Sequence, residues 1–163
     1  MDSIQDAELD AARRRRRLLQ AVKGALRDVN LQLTLLNHQV GDHLELRGSD
    51  LECLNLISRE GPLSPSALAR QAGLHPATLT GVLDRLERGG WVSRDRDPAD
   101  RRGVLIRVQG GRAAEVLGLY AGMNTAMDQI CADYPDGELE LLVGFLRRTA
   151  DAGRTATGEL GSS

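Results

Sequence analysis

A long stripe of apolar residues marks the first third of the chain. Apolar side chains recur at alternating spacings of three and four residues, at Leu19, Val22, Leu26, Val29, Leu33, Leu36 and Val40. This heptad spacing predicts one helix, running to about residue 46, with an apolar seam along one side. A small domain cannot cover so long a seam, so a partner helix is expected, from the same chain or a second copy. Residues 1–12 lack the pattern and are expected to be frayed.

Two helices and a tight turn are predicted after residue 60. Ser64 caps the first of them, Pro65 occupies its first position, and Gly73 fits a left-handed C-cap. Pro76 opens the second, whose buried face has the i, i+3, i+4, i+7 spacing of Leu79, Val82, Leu83 and Leu86. This pattern is typical of a helix-turn-helix.

A shorter helix precedes this pair. Arg47-Gly48 ends the long first helix, and Ser49 with Glu52 predicts a capping box for the next one. Its inward face carries Leu51, Leu54 and Ile57.

A two-stranded ribbon is predicted after residue 90. Trp91 and Val92 start one strand, and its return partner alternates at Val104, Ile106 and Val108. The turn between them is highly charged and holds Asp97, Pro98, Asp100, Arg101 and Arg102. Leu63 is expected to pair beside this ribbon. The predicted fold is therefore mainly α with a small β-wing, a winged helix-turn-helix flanked by helices at both ends.

Apolar positions at helical spacing return after Gly110-Gly111, and a final helix is predicted to end near Ala152. The chain then divides into an N-terminal dimerisation helix (1–46), a winged helix-turn-helix domain (47–110), C-terminal dimerisation helices (111–152) and a flexible tail (153–163). A two-fold homodimer is the favoured arrangement, because it covers the seams at both ends. A monomeric helical bundle is the competing interpretation.

Charge is distributed unevenly along the chain. Residues 61–112 carry nine basic and five acidic residues, whereas residues 113–163 carry three and eight. An excess of basic residues around the wing is expected of a surface that binds phosphates. Solvated charge on a helical protein would give the same excess. The chain has no signal peptide or membrane-spanning run, so a cytoplasmic location is expected. Cys53 and Cys131 lie in apolar helical patterns and are expected to be buried thiols.

The exposed side of the second helix suits a DNA groove. Thr78 and Thr80 are small and polar, and the N-terminal half of this helix carries no acidic residue. Enzyme chemistry is not expected, since no glycine-rich phosphate loop, Ser/His/Asp set or carboxylate pair in a pocket is present. A protein-interaction module is the alternative, but the arginine-rich wing tip favours DNA.

The run GLHPATLTGVLDRLERGGWVSRDRDPADRRGVLIRV resembles the core of the multiple antibiotic resistance regulator (MarR) family. The resemblance lies in the LDRLE helix end, the Gly-Trp-Val start of the wing and the D-x-R element within DPADRR. It implies a dimeric repressor, less often an activator, that small and often phenolic ligands release from DNA. By position, Asp100 and Arg102 match the D-x-R pair, with Arg102 in the minor groove.

The residues expected to bind DNA lie on the two helices and the wing. They are Ser64, Pro65, Ser66, His75, Pro76, Thr78, Thr80, Arg85, Arg94, Asp100, Arg101 and Arg102. Two positions depart from the family's pattern. Gly81 stands where many members have Arg, and Val108-Gln109 stands where Leu-Thr commonly closes the wing, which predicts a poorer cap for the next helix.

The resemblance also implies an effector pocket between the dimerisation helices and the DNA-reading domain. The polar residues nearest that junction are Asn37, His38, His43 and Arg47. His38 and His43 are five residues apart and lie off a shared helical face, so a metal site is not expected. No cofactor is expected either.

Overall fold

A computed structural model of the protein describes residues 2–98, 100 and 103–161. The chain divides into two compact units, Met1–Leu46 and Arg47–Ser163. The first unit consists of one long helix, α1 (Asp2–His43). The predicted seam lies on this helix, and Leu19, Val22, Val29 and Leu33 are exposed along it. The helix begins at Asp2, so the prediction of a frayed start was wrong, because residues 2–17 contain neither Gly nor Pro to interrupt it.

The second unit begins with three packed helices, α2 (Gly48–Glu60), α3 (Pro65–Ala72) and α4 (Pro76–Arg88). The side chains predicted to face inward are buried, and together with Leu68 they form the core of this unit. They are Leu51, Leu54, Ile57, Leu79, Val82, Leu83 and Leu86. The predicted capping box was wrong. Arg47 occupies the N-cap position of α2, and its side chain makes no capping hydrogen bond. Ser49 lies inside the first turn, where its hydroxyl donates to Asp50.

The wing follows α4 as an antiparallel pair of strands, β1 (Val92–Arg96) and β2 (Val104–Val108). The register places Val92 opposite Val108 and Arg96 opposite Val104. Leu63 pairs with Ile106 on the other edge of β2, as the sequence predicts, through N–O distances of 3.2 and 2.8 Å. Ile106 is fully buried, so this contact fixes the wing to the helices.

Three helices complete the second unit, α5 (Gly110–Leu119), α6 (Ala121–Ala132) and α7 (Asp136–Gly161). The sequence predicts one continuous pattern across α5 and α6, but the helix breaks at Tyr120. Gln109 occupies the N-cap position of α5, and its side chain makes no capping hydrogen bond. This confirms the predicted poor cap. The final helix continues past Ala152 to Gly161, where the sequence predicts a flexible tail. No helix among the described residues is both long and apolar enough to cross a membrane.

Candidate nucleic-acid interface

The predicted caps of α3, at Ser64 and Gly73, are present, and His75 caps α4. The Ser64 hydroxyl oxygen accepts a hydrogen bond from the Ala67 N–H at 3.2 Å, and Gly73 adopts the left-handed conformation that ends α3. His75 Nδ1 accepts from the Ala77 N–H at 3.3 Å and caps α4. These local hydrogen bonds fix where both helices begin, and they confirm the helix-turn-helix.

The first turns of α4 present a small, polar surface. Pro76, Thr78 and Thr80 are exposed, and the first turn holds no acidic residue. The Thr80 hydroxyl donates to the Pro76 carbonyl at 3.0 Å, which leaves its oxygen able to accept. The backbone N–H groups and the dipole at this end of the helix favour negative charge. The surface therefore suits a phosphate or a base edge in a groove.

The start of α3 adds two hydroxyls to this side of the unit. Ser64 and Ser66 lie with their hydroxyl oxygens 3.1 Å apart, and Pro65 sits between them at the first helical position. Ser66 is exposed. Hydroxyls at a helix start are typical phosphate ligands, so the predicted contacts at this position are compatible with the geometry.

Arg85 lies in a different setting from the other predicted contacts. Its Nη2 donates to Asp50 Oδ1 at 2.6 Å, and its Nε donates to Asp50 Oδ2 at 3.0 Å. Asp50 is 3% exposed and is the one charged side chain buried among the described residues. Asp50 is not among the residues predicted from the sequence, although a carboxylate beside the apolar face of α2 is itself a signal of a paired charge.

Arg94 is also paired within the protein. Its guanidinium bonds Asp84 at 2.6 Å and approaches Glu87 at 3.3 Å, so it connects β1 to α4. Two carboxylates offset its positive charge. Its predicted contact with phosphate stays a prediction, and the structure gives it a role in placing the wing.

The tip of the wing is closed by backbone hydrogen bonds around Gly103. The Asp97 N–H donates to the Gly103 carbonyl at 3.0 Å, and the Gly103 N–H donates to the Asp100 carbonyl at 2.8 Å. Asp100 is exposed. Arg101 and Arg102, the predicted wing contacts, lie outside the described residues.

Trp91 joins α4, the wing and α5. Its ring is buried where β1 begins, and the Arg112 guanidinium of α5 lies 4.2 Å from the ring centre. Arg112 also donates to the Gly89 carbonyl at the end of α4, at 3.3 Å. A cation over an indole face in this setting is a favourable contact. The position of α5 is thereby linked to the position of the wing.

A cavity of about 310 Å³ lies between the end of α2, strand β2 and α5. Its wall is mostly apolar, with Ile57, Val108 and Val116, and Asn55 and Ser58 add polar groups. The predicted effector residues are Asn37, His38, His43 and Arg47; all four are exposed, and none of them lines this cavity.

Cys53 is buried, as predicted, whereas Cys131 is half-buried. Burial raises the pKa of the Cys53 thiol to about 11, and the negative charges of Glu52 and Asp50 add to the rise. The thiol therefore holds its proton at neutral pH. Among the described residues, no three His, Cys, Asp or Glu side chains are grouped as metal ligands.

Comparison with known proteins identifies the family. The HTH-type transcriptional regulator YcgE of Bacillus subtilis is 32% identical to this chain over 119 residues, which are 72% of this chain and 77% of that protein. The sequence profile of the MarR family matches residues 48–104, from the start of α2 into β2. The chain belongs to the MarR family. As a MarR-family protein it is a DNA-binding transcriptional regulator and not an enzyme.

Two further similarities extend over most of the MarR-family chain. The HTH-type transcriptional repressor YetL of Bacillus subtilis is 30% identical over 116 residues, 68% of this chain and 70% of that protein. The crystal structure of wild-type, ligand-free MarR from E. coli superposes with a TM-score of 0.54 at 25% identity, over 76% of this chain and 93% of that one. The winged helix-turn-helix described above is thus the family's fold.

Proposed function

We propose that this protein is a homodimeric repressor that covers a pseudo-palindromic promoter site and leaves it when a small ligand binds. The observation that carries the proposal is the exposed, acid-free start of α4 beside a wing whose turn carries two arginines. One α4 would enter the major groove in each half-site. Arg102 would enter the minor groove, where negative potential favours Arg.

The dimer is supported by apolar side chains that the single chain leaves exposed. Leu19, Val22 and Val29 on α1 are each about half exposed, at 47%, 45% and 52%. On α7, Leu142 and Leu146 are exposed as well. Contiguous apolar stripes of this kind usually mark a protein–protein interface. A second copy with two-fold symmetry would cover the same stripes on both chains.

Release by a ligand is supported by the cavity beside α5. Its size lies at the lower end of small-molecule sites, and an apolar wall with a few polar groups suits an amphipathic, phenol-sized compound. Val116 and Leu117 of α5 line it, and Arg112 of the same helix contacts Trp91 at the start of the wing. A ligand that moves α5 would therefore move the wing, and the spacing of the two wings would change.

Selection of bound genomic fragments tests the DNA part of the proposal. We expect the full-length protein to enrich promoter fragments with a common inverted repeat. Binding should weaken steeply with salt, because phosphate contacts release counterions. Arg102→Ala should bind the repeat much more weakly, whereas Arg148→Ala, which removes an exposed arginine from α7, should not. Full affinity of Arg102→Ala would remove the assigned wing role. Enrichment of no fragment would favour the protein-interaction alternative.

The ligand part is tested on the best fragment with salicylate as the first phenolic probe. Ala113 lines the cavity and Ala114, the next residue, is exposed outside it. Ala113→Phe fills the cavity, so we expect it to raise the salicylate concentration needed for release about tenfold or more, the effect of losing roughly 1.4 kcal/mol of binding. Ala114→Phe is the matched control and should release as the wild type does. Equal release by both variants would place the effector elsewhere.

A further inference from the structure

The ion pair between Asp50 and Arg85 joins the first turn of α2 to the recognition helix α4. The carboxylate of Asp50 is 4% exposed and uses both oxygens on the guanidinium. A buried carboxylate needs such a partner, since an unpaired charge in the protein interior is strongly destabilising. The hydrogen bonds that Arg85 donates to Asp50 also raise the pKa of Arg85, so the guanidinium stays charged. The plane of the guanidinium is consequently fixed with respect to both helices.

Asp50 leaves one nitrogen of Arg85 unused. Nε and Nη2 donate to the carboxylate, and Nη1, with two N–H groups, remains. Within the part of the chain that the structure describes, no hydrogen bond involves Nη1. The Arg85 side chain is 30% exposed, so this end of the guanidinium is accessible from outside the protein.

Nη1 of Arg85 lies beside Gly81. A Cβ atom at position 81 would be 3.6 Å from Nη1, so the guanidinium reaches back over the glycine one turn earlier in α4. At 100° per residue, position 81 falls near the middle of the exposed side, opposite Leu79, Val82 and Leu86. The absent side chain leaves open space beside a fixed donor, on the side of the helix that carries Thr78 and Thr80.

We propose that Arg85 is a specificity-determining residue of the recognition helix, and that Asp50 is the residue that positions it. Nη1 donates to the acceptor edge of a guanine in the major groove, through the opening at Gly81. Guanine is the base that arginine reads most often, through O6 and N7. The inference rests on the proposed insertion of α4 into the major groove. It gives the site a base-reading arginine although position 81 has no side chain.

The variant Asp50→Asn separates the orientation of Arg85 from the positive charge that Arg85 contributes. The amide offers one acceptor instead of two, so Arg85 keeps its charge but loses its fixed orientation. Non-specific binding should therefore not weaken, because the phosphates still meet the same positive groups and one acidic group fewer. Specific binding should weaken about tenfold, the usual effect of losing one base contact. A role in stability alone would lower both kinds of binding together, in proportion to the unfolded fraction.

The experiment is selection from a random duplex library by the full-length protein and three variants. Asp50→Asn is the test, and Arg88→Gln, which removes a charge from the same helix away from Asp50, is the control. The double variant Asp50→Leu/Arg85→Met replaces the ion pair by apolar side chains. It leaves no unpaired buried charge, so it is expected to fold. Circular dichroism checks that each variant is folded before binding is compared.

We expect the wild type and Arg88→Gln to select guanine at one symmetric pair of positions. Asp50→Asn and the apolar double variant should lose that preference and keep the rest of the sequence. The ratio of specific to non-specific affinity should fall about tenfold in both. A folded Asp50→Asn or double variant that selects the wild-type sequence overturns the inference alone. A wild type that selects no sequence overturns the proposed function and this inference with it.

Discussion

At the scale of single residues, the basic side chains of the winged helix divide into two groups. Arg85 and Arg94 each bond carboxylates on neighbouring elements, and their exposed fractions are 30% and 37%. Arg88, by contrast, is exposed, and within the described part of the chain its guanidinium bonds the Asp84 carbonyl of its own helix. The sequence places all three arginines near α4, but it does not distinguish a paired guanidinium from one presented to solvent. That distinction decides which arginines orient the domain.

Cys53 gives a pH-dependent prediction. The folded protein holds the thiol proton up to a pKa of about 11, whereas the unfolded chain releases it near the ordinary value of 9.0. Above pH 9 the unfolded state binds fewer protons, so the free energy of unfolding should fall as pH rises towards 11. The fall attributable to this thiol is at most about 2–3 kcal/mol.

Urea unfolding at pH 8, 9, 10 and 11 measures this effect. Cys53→Ala is the control, because it keeps every other group that titrates in this range. We expect the wild type to lose more stability than Cys53→Ala between pH 9 and pH 11, so that the gap between the two proteins narrows. Parallel curves would show that burial does not protect the thiol proton.

At the scale of elements, the wing depends on one glycine in its turn. A Cβ at Gly103 would lie 2.9 Å from the Asp97 Cβ and 3.2 Å from the Asp100 carbonyl oxygen. Neither atom is at the end of a flexible side chain, so any side chain at position 103 displaces the turn. Arg101 and Arg102 belong to this turn in the sequence, so we expect a displaced turn to disturb the proposed DNA contact of Arg102.

Gly103→Ala should therefore weaken operator binding more than it weakens the fold. Crowding of this kind costs about 1–3 kcal/mol. If the turn relieves this crowding by shifting, the DNA contact is lost in part. A loss of about 1.4 kcal/mol of binding free energy lowers the affinity about tenfold. Fluorescence anisotropy with a labelled operator measures the affinity. Gly110→Ala, which meets nothing within 4 Å, is the control. Equal affinities for the two variants would contradict the coupling.

The elements themselves were largely predictable. Ser64, Gly73 and His75 are local signals, because each caps or ends a helix through hydrogen bonds within a few residues. The capping-box prediction was wrong because two local signals competed. Ser49 and Glu52 have the spacing of a capping box, yet the helix starts earlier, at Gly48, with Arg47 as its N-cap. A sequence motif for a cap holds only when the chain enters the helix at that residue.

At the scale of the whole molecule, the exposed stripe on α1 predicts the oligomeric state. Leu33 lies on the stripe and is 39% exposed, and its neighbour Gln32 is polar. In a dimer that buries the stripe, a charge at position 33 would lose its hydration without a partner. Leu33→Asp should therefore shift the protein from dimer to monomer at micromolar concentration.

Sedimentation equilibrium gives the mass directly. Gln32→Asp introduces the same charge one residue away and should leave the dimer intact. The monomeric variant should also bind the inverted repeat far more weakly, because a monomer contacts one half-site and a dimer contacts both at once. A monomeric wild type, or a Leu33→Asp variant that remains dimeric, would contradict the role of the stripe.

The sequence by itself determined which segments are helices and strands, because periodicity, caps and turn glycines act over a few neighbouring residues. It also determined the family, through a run of residues that includes α4 and the wing. Only the tertiary structure paired Asp50 with Arg85, 35 residues apart, and Arg94 with Asp84. It alone joined Trp91 to Arg112 and opened the cavity beside α5. These contacts depend on how the elements are rotated against one another. Packing of the whole unit sets that rotation, and no short stretch of sequence encodes it.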